Sequence, residues 1–197
     1  ETAATFFVEE TTAAREAMAG AVPPGGLLIT GAPRRDRQPL RLYNGMVVLD
    51  DSGTVVENYN KAHLVPFGEY LPIRPLLGLI GLDKLTHGAT DYSPGAGARS
   101  LTLPGLPPVS PLICYEVIFP GAVVNPLQPA AWMLNLTNDA WYGRTAGPYQ
   151  HLALTRLRAV EEGLAMVRSA SSGSGWASTC AVTDTSAGTD RPAKGLS

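Results

Sequence analysis

Short apolar runs recur along this chain, each cut off by Pro, Gly or polar turn residues, with helical stretches among them. Leu27 to Gly31 reads as one strand. Leu42 to Leu49 and Thr54 to Asn58 read as a hairpin around Asp50-Asp51-Ser52-Gly53. Val109 to Tyr115, Trp132 to Leu136 and Leu164 to Ser169 read as buried strands. Thr5 to Met18 is rich in Ala and Glu and predicts a helix, closed by Pro23-Pro24-Gly25-Gly26. Tyr149 to Glu162 predicts a second helix, with Tyr149, Ala153, Leu157 and Val160 on the face expected to point inward. Strands alternating with helices imply an α/β layered domain.

At 197 residues the chain suits one such domain with a sizeable core. Net charge of −2 gives no reason to expect nucleic acid as a partner. The most apolar stretch, near Leu76 to Leu82, is far short of the roughly 20 residues that cross a bilayer. No signal peptide is visible, and a start at Glu1 rather than Met leads us to expect a piece of a longer sequence. Two cysteines, Cys114 and Cys180, do not make a disulfide framework. Metal-ligand spacing and a phosphate-binding glycine loop are both missing, so neither a metal nor another cofactor is expected. From Ser171 onward Ser, Gly, Thr and Ala dominate, which divides the chain into an expected catalytic domain over 1–170 and an atypical, disordered or foreign tail over 171–197.

Chemistry concentrates at two places. Cys114 ends an apolar run and is followed by Tyr115 and Glu116. Free cysteine is often simply buried, but a carboxylate at a strand end suits a site better than a core. Lys61 lies in Asn60-Lys61-Ala62-His63; a solvated lysine is the plain alternative. An ammonium beside a thiol would favour the thiolate and could hold an oxyanion later. His63 could pair with the thiol, although a lone histidine is more often structural. Glu69 sits among Phe67, Tyr70 and Leu71, apolar surroundings that raise a carboxyl pKa, or it is an exposed loop carboxylate. Asn138-Asp139-Ala140-Trp141-Tyr142-Gly143 lines a pocket or caps the next helix.

Three segments carry a resemblance: Asn60-Lys61-Ala62-His63-Leu64-Val65-Pro66-Phe67-Gly68-Glu69-Tyr70, Cys114-Tyr115-Glu116, and Leu136-Thr137-Asn138-Asp139-Ala140-Trp141-Tyr142-Gly143. With Arg158-Ala159-Val160-Glu161 they make the chain resemble the carbon–nitrogen hydrolase (nitrilase) superfamily, and within it the membrane N-acyltransferase branch. The resemblance implies an αββα sandwich and a Glu-Lys-Cys triad. Glu1, in Glu1-Thr2-Ala3, would be the general base, Lys61 the oxyanion-side amine and Cys114 the nucleophile. Glu69, Tyr115 and Glu116 match supporting positions. It also implies a first strand and membrane helices upstream of Glu1. After Ser169 it implies an Asn-Thr-Gly-like turn and another strand, which Ser171-Ser172-Gly173 fits loosely and Trp176 to Ser197 poorly.

The expected activity is then acyl transfer from a phospholipid donor, through a Cys114 thioester, to the N-terminal amine of a diacylglyceryl-cysteine lipoprotein. The enzyme would sit in a bacterial inner membrane with its catalytic domain on the periplasmic side. The apolar 72–82 loop is expected to touch the bilayer, or else to pack as a small satellite core. A soluble amidase or nitrilase of the same superfamily, with water as acceptor, and an inactive fragment are the alternatives.

Overall fold

In the computed structural model, residues 1–72, 91–171 and the backbone of 179–183 are described. The 72–82 loop lies almost wholly outside them, as does most of the region after Ser171.

Two sheets form the centre. In the first, β1 (Leu27–Arg37), β2 (Leu40–Asp50) and β3 (Val55–Asn60) run antiparallel in sequence order. In the second, β4 (Val109–Ile113), β5 (Trp132–Asn138) and β6 (Ala165–Ser171) are parallel, and β7 (Thr179–Thr183) adds an antiparallel edge beside β6. Among the described residues the α-helices are α1 (Thr12–Ala19) and α2 (Gly147–Glu162).

The two-residue period of β2 explains the layering. Met46 and Val48 face the second sheet and pack with Tyr59, Val109, Ile113, Leu134 and Leu136. Their neighbours Val47 and Leu49 point the other way, onto Val8, Ala4 and Ala32, with Met18 of α1 alongside. In the second sheet Leu112, Met133 and Met166 turn their backs on that core and pack on Ala159 of α2. The order is therefore helix, sheet, sheet, helix, an αββα sandwich. Continuous apolar runs such as Met46–Leu49 follow from burial on both faces.

The first helix is shorter than its composition predicts. Residues Val8–Glu10 form a 3-10 turn, and the α-helix begins only at Thr12. The Arg15 guanidinium donates to the Val8 and Glu9 carbonyls and ties that turn to the helix. The second helix corrects the expected face. Tyr149 is 78% exposed and Val160 72%, while His151, Thr155, Arg158 and Ala159 are buried. The apolar spacing was real, but the helix lies over a polar cluster whose members pair with one another, and pairing offsets much of the cost of burying polar groups.

Candidate active site

Close backbone approaches bring the site together at the strand ends. A Cβ on Gly31 of β1 would sit 1.5 Å from the Glu1 carbonyl, so only glycine lets the N-terminal segment lie this close; Ala4 then donates to the Gly31 carbonyl at 3.0 Å. Gly95 plays the same part at the end of β3. A Cβ there would meet the Asn60 carbonyl at 2.1 Å, and its N–H donates to the Lys61 carbonyl at 2.8 Å. The Lys61 N–H in turn donates to the Asn44 carbonyl of β2 at 2.9 Å.

With its backbone held on both sides, the Lys61 side chain is fully buried. Its ammonium donates to Glu1 Oε1 at 3.2 Å and to Glu69 Oε2 at 2.9 Å, and lies 5.3 Å from the centre of the Tyr115 ring. Burial disfavours the ammonium, but the Glu1 and Glu69 carboxylates outweigh it and raise the lysine pKa, so Lys61 stays charged. Glu69 is buried, not an exposed loop carboxylate. The loop from Val65 to Tyr70 wraps around it, with the Val65 N–H donating to Oε2 at 2.7 Å. Asn44, which the sequence reading passed over, donates from Nδ2 to both Glu1 Oε1 at 2.9 Å and Glu69 Oε1 at 2.6 Å. Its only signal was a polar residue inside the apolar run of β2.

Cys114 leaves β4 directly into a 3-10 turn, Cys114–Ile118, with a positive φ of 53°. That conformation is strained for a residue with a side chain and persists only where its surroundings enforce it. The thiol interacts with the Glu1 carboxylate and the Thr137 hydroxyl. Burial, and then Glu1, push it up to about 12, against the smaller opposing pull of Lys61. The Lys61 ammonium does favour the thiolate, as expected, but burial and Glu1 outweigh it, so a base must remove the thiol proton. Glu1 has the right character. Burial raises its carboxyl pKa, while the Lys61 ammonium and the hydrogen bond from Asn44 pull it down and favour the carboxylate. Its second oxygen, Oε2, is buried and has no hydrogen-bond partner among the described residues.

Glu116 is placed differently from expectation. It is a buried clamp, 2% exposed. Oε1 accepts from the Ala62 N–H at 2.7 Å, the His63 N–H at 3.1 Å and the Tyr59 hydroxyl at 3.1 Å, while Oε2 accepts from the Ile113 N–H at 2.7 Å. It therefore joins the segment after Lys61 to the turn that carries Cys114. Burial pushes its carboxyl up, partly offset by the backbone donors. Tyr115 donates to the Leu64 carbonyl at 2.6 Å. The His63 ring stacks on Phe119 at 4.6 Å. Asp139 is held by Arg168 and His151, and Asn138 caps the short turn Asp139–Tyr142 by accepting from the Ala140 N–H.

Chemically, the arrangement sets a protonated thiol against an ionised carboxylate and a fixed ammonium, the parts needed for nucleophilic attack on a carbonyl.

A family model for carbon-nitrogen hydrolases matches residues 4–187. The chain is 43% identical over 178 residues to an apolipoprotein N-acyltransferase of Bradyrhizobium diazoefficiens and equally to one of Rhodopseudomonas palustris, covering 88% of this chain and 33% of each relative. It thus spans about a third of the length of the curated relatives it matches. Among solved structures, a CN-hydrolase superfamily protein of Xanthomonas campestris superposes with a TM-score of 0.60 at 20% identity, over 92% of this chain and 63% of that one. A carbon-nitrogen hydrolase of Helicobacter pylori gives 0.55 at 14%, over 81% and 49%. These two show the sandwich fold alone. By the match of the family model across most of its length, this chain belongs to the carbon–nitrogen hydrolase family.

Proposed function

We propose that this chain carries the catalytic part of an apolipoprotein N-acyltransferase, moving an acyl chain from a phospholipid, by way of Cys114, to the N-terminal amine of a diacylglyceryl-cysteine lipoprotein. The observation that carries the chemistry is the buried Cys114 thiol beside a Glu1 carboxylate whose Oε2 is unengaged among the described residues, with the Lys61 ammonium fixed against that carboxylate. The curated relatives' name supports the choice of reaction.

Glu1 takes the thiol proton as sulfur attacks the ester carbonyl. Lys61 stabilises the oxyanion of the tetrahedral intermediate. Collapse breaks the ester C–O bond, the leaving alkoxide recovers the proton from Glu1, and a thioester remains on Cys114. The acceptor amine then attacks the thioester, Glu1 takes its proton and returns it to the departing sulfur. A cleft of about 350 Å³ lined by Ile118, Tyr142, His151 and Leu154 offers apolar walls for an acyl chain. Among the described residues no helix is long and apolar enough to cross a membrane. The reading places the enzyme in a bacterial inner membrane, facing the periplasm, through sequence outside this chain.

Incubation of the full-length protein with phospholipid vesicles tests the first half-reaction. A hydroxylamine-sensitive acyl adduct on the peptide containing Cys114 is expected, and an adduct that survives in Cys114→Ala would refute it.

A further inference from the structure

Beneath the nucleophile lies a buried polar cluster that the chemistry above does not use. Asn135 is fully buried, and His151, Thr155, Arg168 and Asp139 are each at most 8% exposed. They come from β5, α2, β6 and the turn after β5, and two of them, Asn135 and His151, meet at one atom, the carbonyl oxygen of Cys114. Asn135 Nδ2 donates to it at 3.1 Å and to the Leu112 carbonyl at 3.3 Å. His151 Nε2 lies 3.2 Å from it. A carbonyl oxygen can only accept, so Nε2 carries a proton and donates, whatever the state of the other ring nitrogen.

Arg168 orients both donors. Its Nη1 donates to Asn135 Oδ1, which turns the amide so that Nδ2 faces the carbonyls, and also to Thr155 Oγ1 at 3.1 Å. Its Nη2 donates to Asp139 at 2.8 and 3.0 Å and lies 3.1 Å from His151 Nδ1, which Asp139 also approaches at 3.0 Å. Thr137 connects the cluster to the thiol, interacting with Sγ while its hydroxyl donates to Asp139 at 3.2 Å.

We propose that Asn135, His151 and Arg168 are positioning residues that hold Cys114 in its strained left-handed turn and so fix where the thiol points. Four observations meet here. Cys114 has a φ of 53°, which few side-chain-bearing residues adopt without external restraint. Its carbonyl accepts two side-chain hydrogen bonds from two different elements. Both donors touch a single guanidinium. That guanidinium is neutralised by Asp139, so the cluster can be buried without an unpaired charge. The planar fork of Arg168 reaches both donors at once, which an ammonium cannot do.

The test uses His151→Phe, which keeps a ring against Tyr142 but deletes the donor, and His151→Gln, whose amide can restore it. Two rates are read on the full-length protein. One is alkylation of Cys114 by iodoacetamide, which does not depend on the proposed function. The other is acyl-enzyme formation from phospholipid, which rests on it. With the turn released, the thiol reaches solvent more often and loses its aim. His151→Phe is then expected to raise alkylation about tenfold and to lower the rate of acyl-enzyme formation about tenfold, both read at temperatures where the variant is fully folded. His151→Gln is expected to return both rates to near wild type. Alkylation within twofold of wild type in His151→Phe would overturn the inference. If His151→Phe does not fold, Asn135→Asp decides: it keeps the Arg168 partner but cannot donate to the carbonyls, and an unchanged alkylation rate there overturns the inference equally. Altered alkylation together with a wild-type protein that forms no acyl adduct would sustain the positioning network and reject the acyl-transfer reading.

Discussion

Replacing Glu116 by Gln changes one atom, yet the structure predicts a clear loss of stability. The carboxylate accepts three hydrogen bonds on Oε1 and one, from the Ile113 N–H, on Oε2. Glutamine has only one accepting oxygen. If that oxygen takes the Oε1 side, the new NH2 faces the Ile113 N–H at 2.7 Å, donor against donor. If it takes the Oε2 side, the Ala62 and His63 N–H groups and the Tyr59 hydroxyl lose their acceptor. The first orientation orphans fewer groups, and one unsatisfied buried donor costs about 1–3 kcal/mol. For a domain of this size each kcal/mol lowers the melting temperature by roughly 2–4 °C, so a drop of roughly 2–12 °C is expected. Urea unfolding followed by tryptophan fluorescence should show a lower midpoint at unchanged slope. Because Glu116 ties the segment after Lys61 to the Cys114 turn, acylation should fall as well, at temperatures where the variant is fully folded. A midpoint equal to wild type would mean that the four donors are not met by an ionised carboxylate, and the clamp would have to be abandoned.

Other expectations follow from the same geometry. In Glu1→Gln the thiol loses the carboxylate that helps push it up to about 12, so iodoacetamide should modify Cys114 faster than in wild type at pH 9, while acylation, deprived of its base, is nearly abolished; slower alkylation would reverse the sign of the coupling. Because the Lys61 ammonium and Asn44 favour the carboxylate form of Glu1, acylation by wild type should hold steady from neutrality down to mildly acidic pH and fail only as Glu1 gains its proton; a loss beginning near pH 7 would point to another base. Lys61→Arg should be nearly as inactive as Lys61→Ala, since the fully buried ammonium is held as a compact charge between two carboxylates beside a ring, and a planar guanidinium cannot reproduce that geometry; near-normal adduct formation would show that charge alone is enough. Gly163 ends α2 with a φ of 64°, and Gly163→Ala should cost about 1 kcal/mol in urea unfolding, with no effect on the chemistry.

The sheets were legible because burial on both faces leaves continuous apolar runs, and Val109–Ile113, Leu42–Leu49 and Trp132–Leu136 announce themselves in that way. The polar residues that interrupt such runs were harder to read. Asn44, Asn135 and Arg168 each stand within an apolar strand, and each proves to be buried and engaged at or beneath the site. Their partners come from distant parts of the chain, so local pattern could not show how they are engaged. The face of α2 was misjudged for the same reason. Apolar spacing picks Tyr149 and Val160, but His151, Thr155 and Arg158 are the residues turned inward. Cys114, Lys61 and Glu69 were visible from their motifs, and the structure brings them together with Glu1. What the motifs did not convey is the sign of the electrostatics: burial of the thiol beside Glu1 outweighs the pull of Lys61.

The central claim is acyl transfer through Cys114 with an amine as acceptor. Its most direct test is to isolate the acylated full-length protein, add a peptide bearing an N-terminal diacylglyceryl-cysteine, and follow the acyl group by mass spectrometry in a single turnover. The account predicts that the thioester on Cys114 disappears as an amide forms on the peptide's α-amino group, and that the thioester persists when the peptide is withheld. Release of the acyl group as free acid at the same rate with or without the peptide would contradict it, and would make water the acceptor.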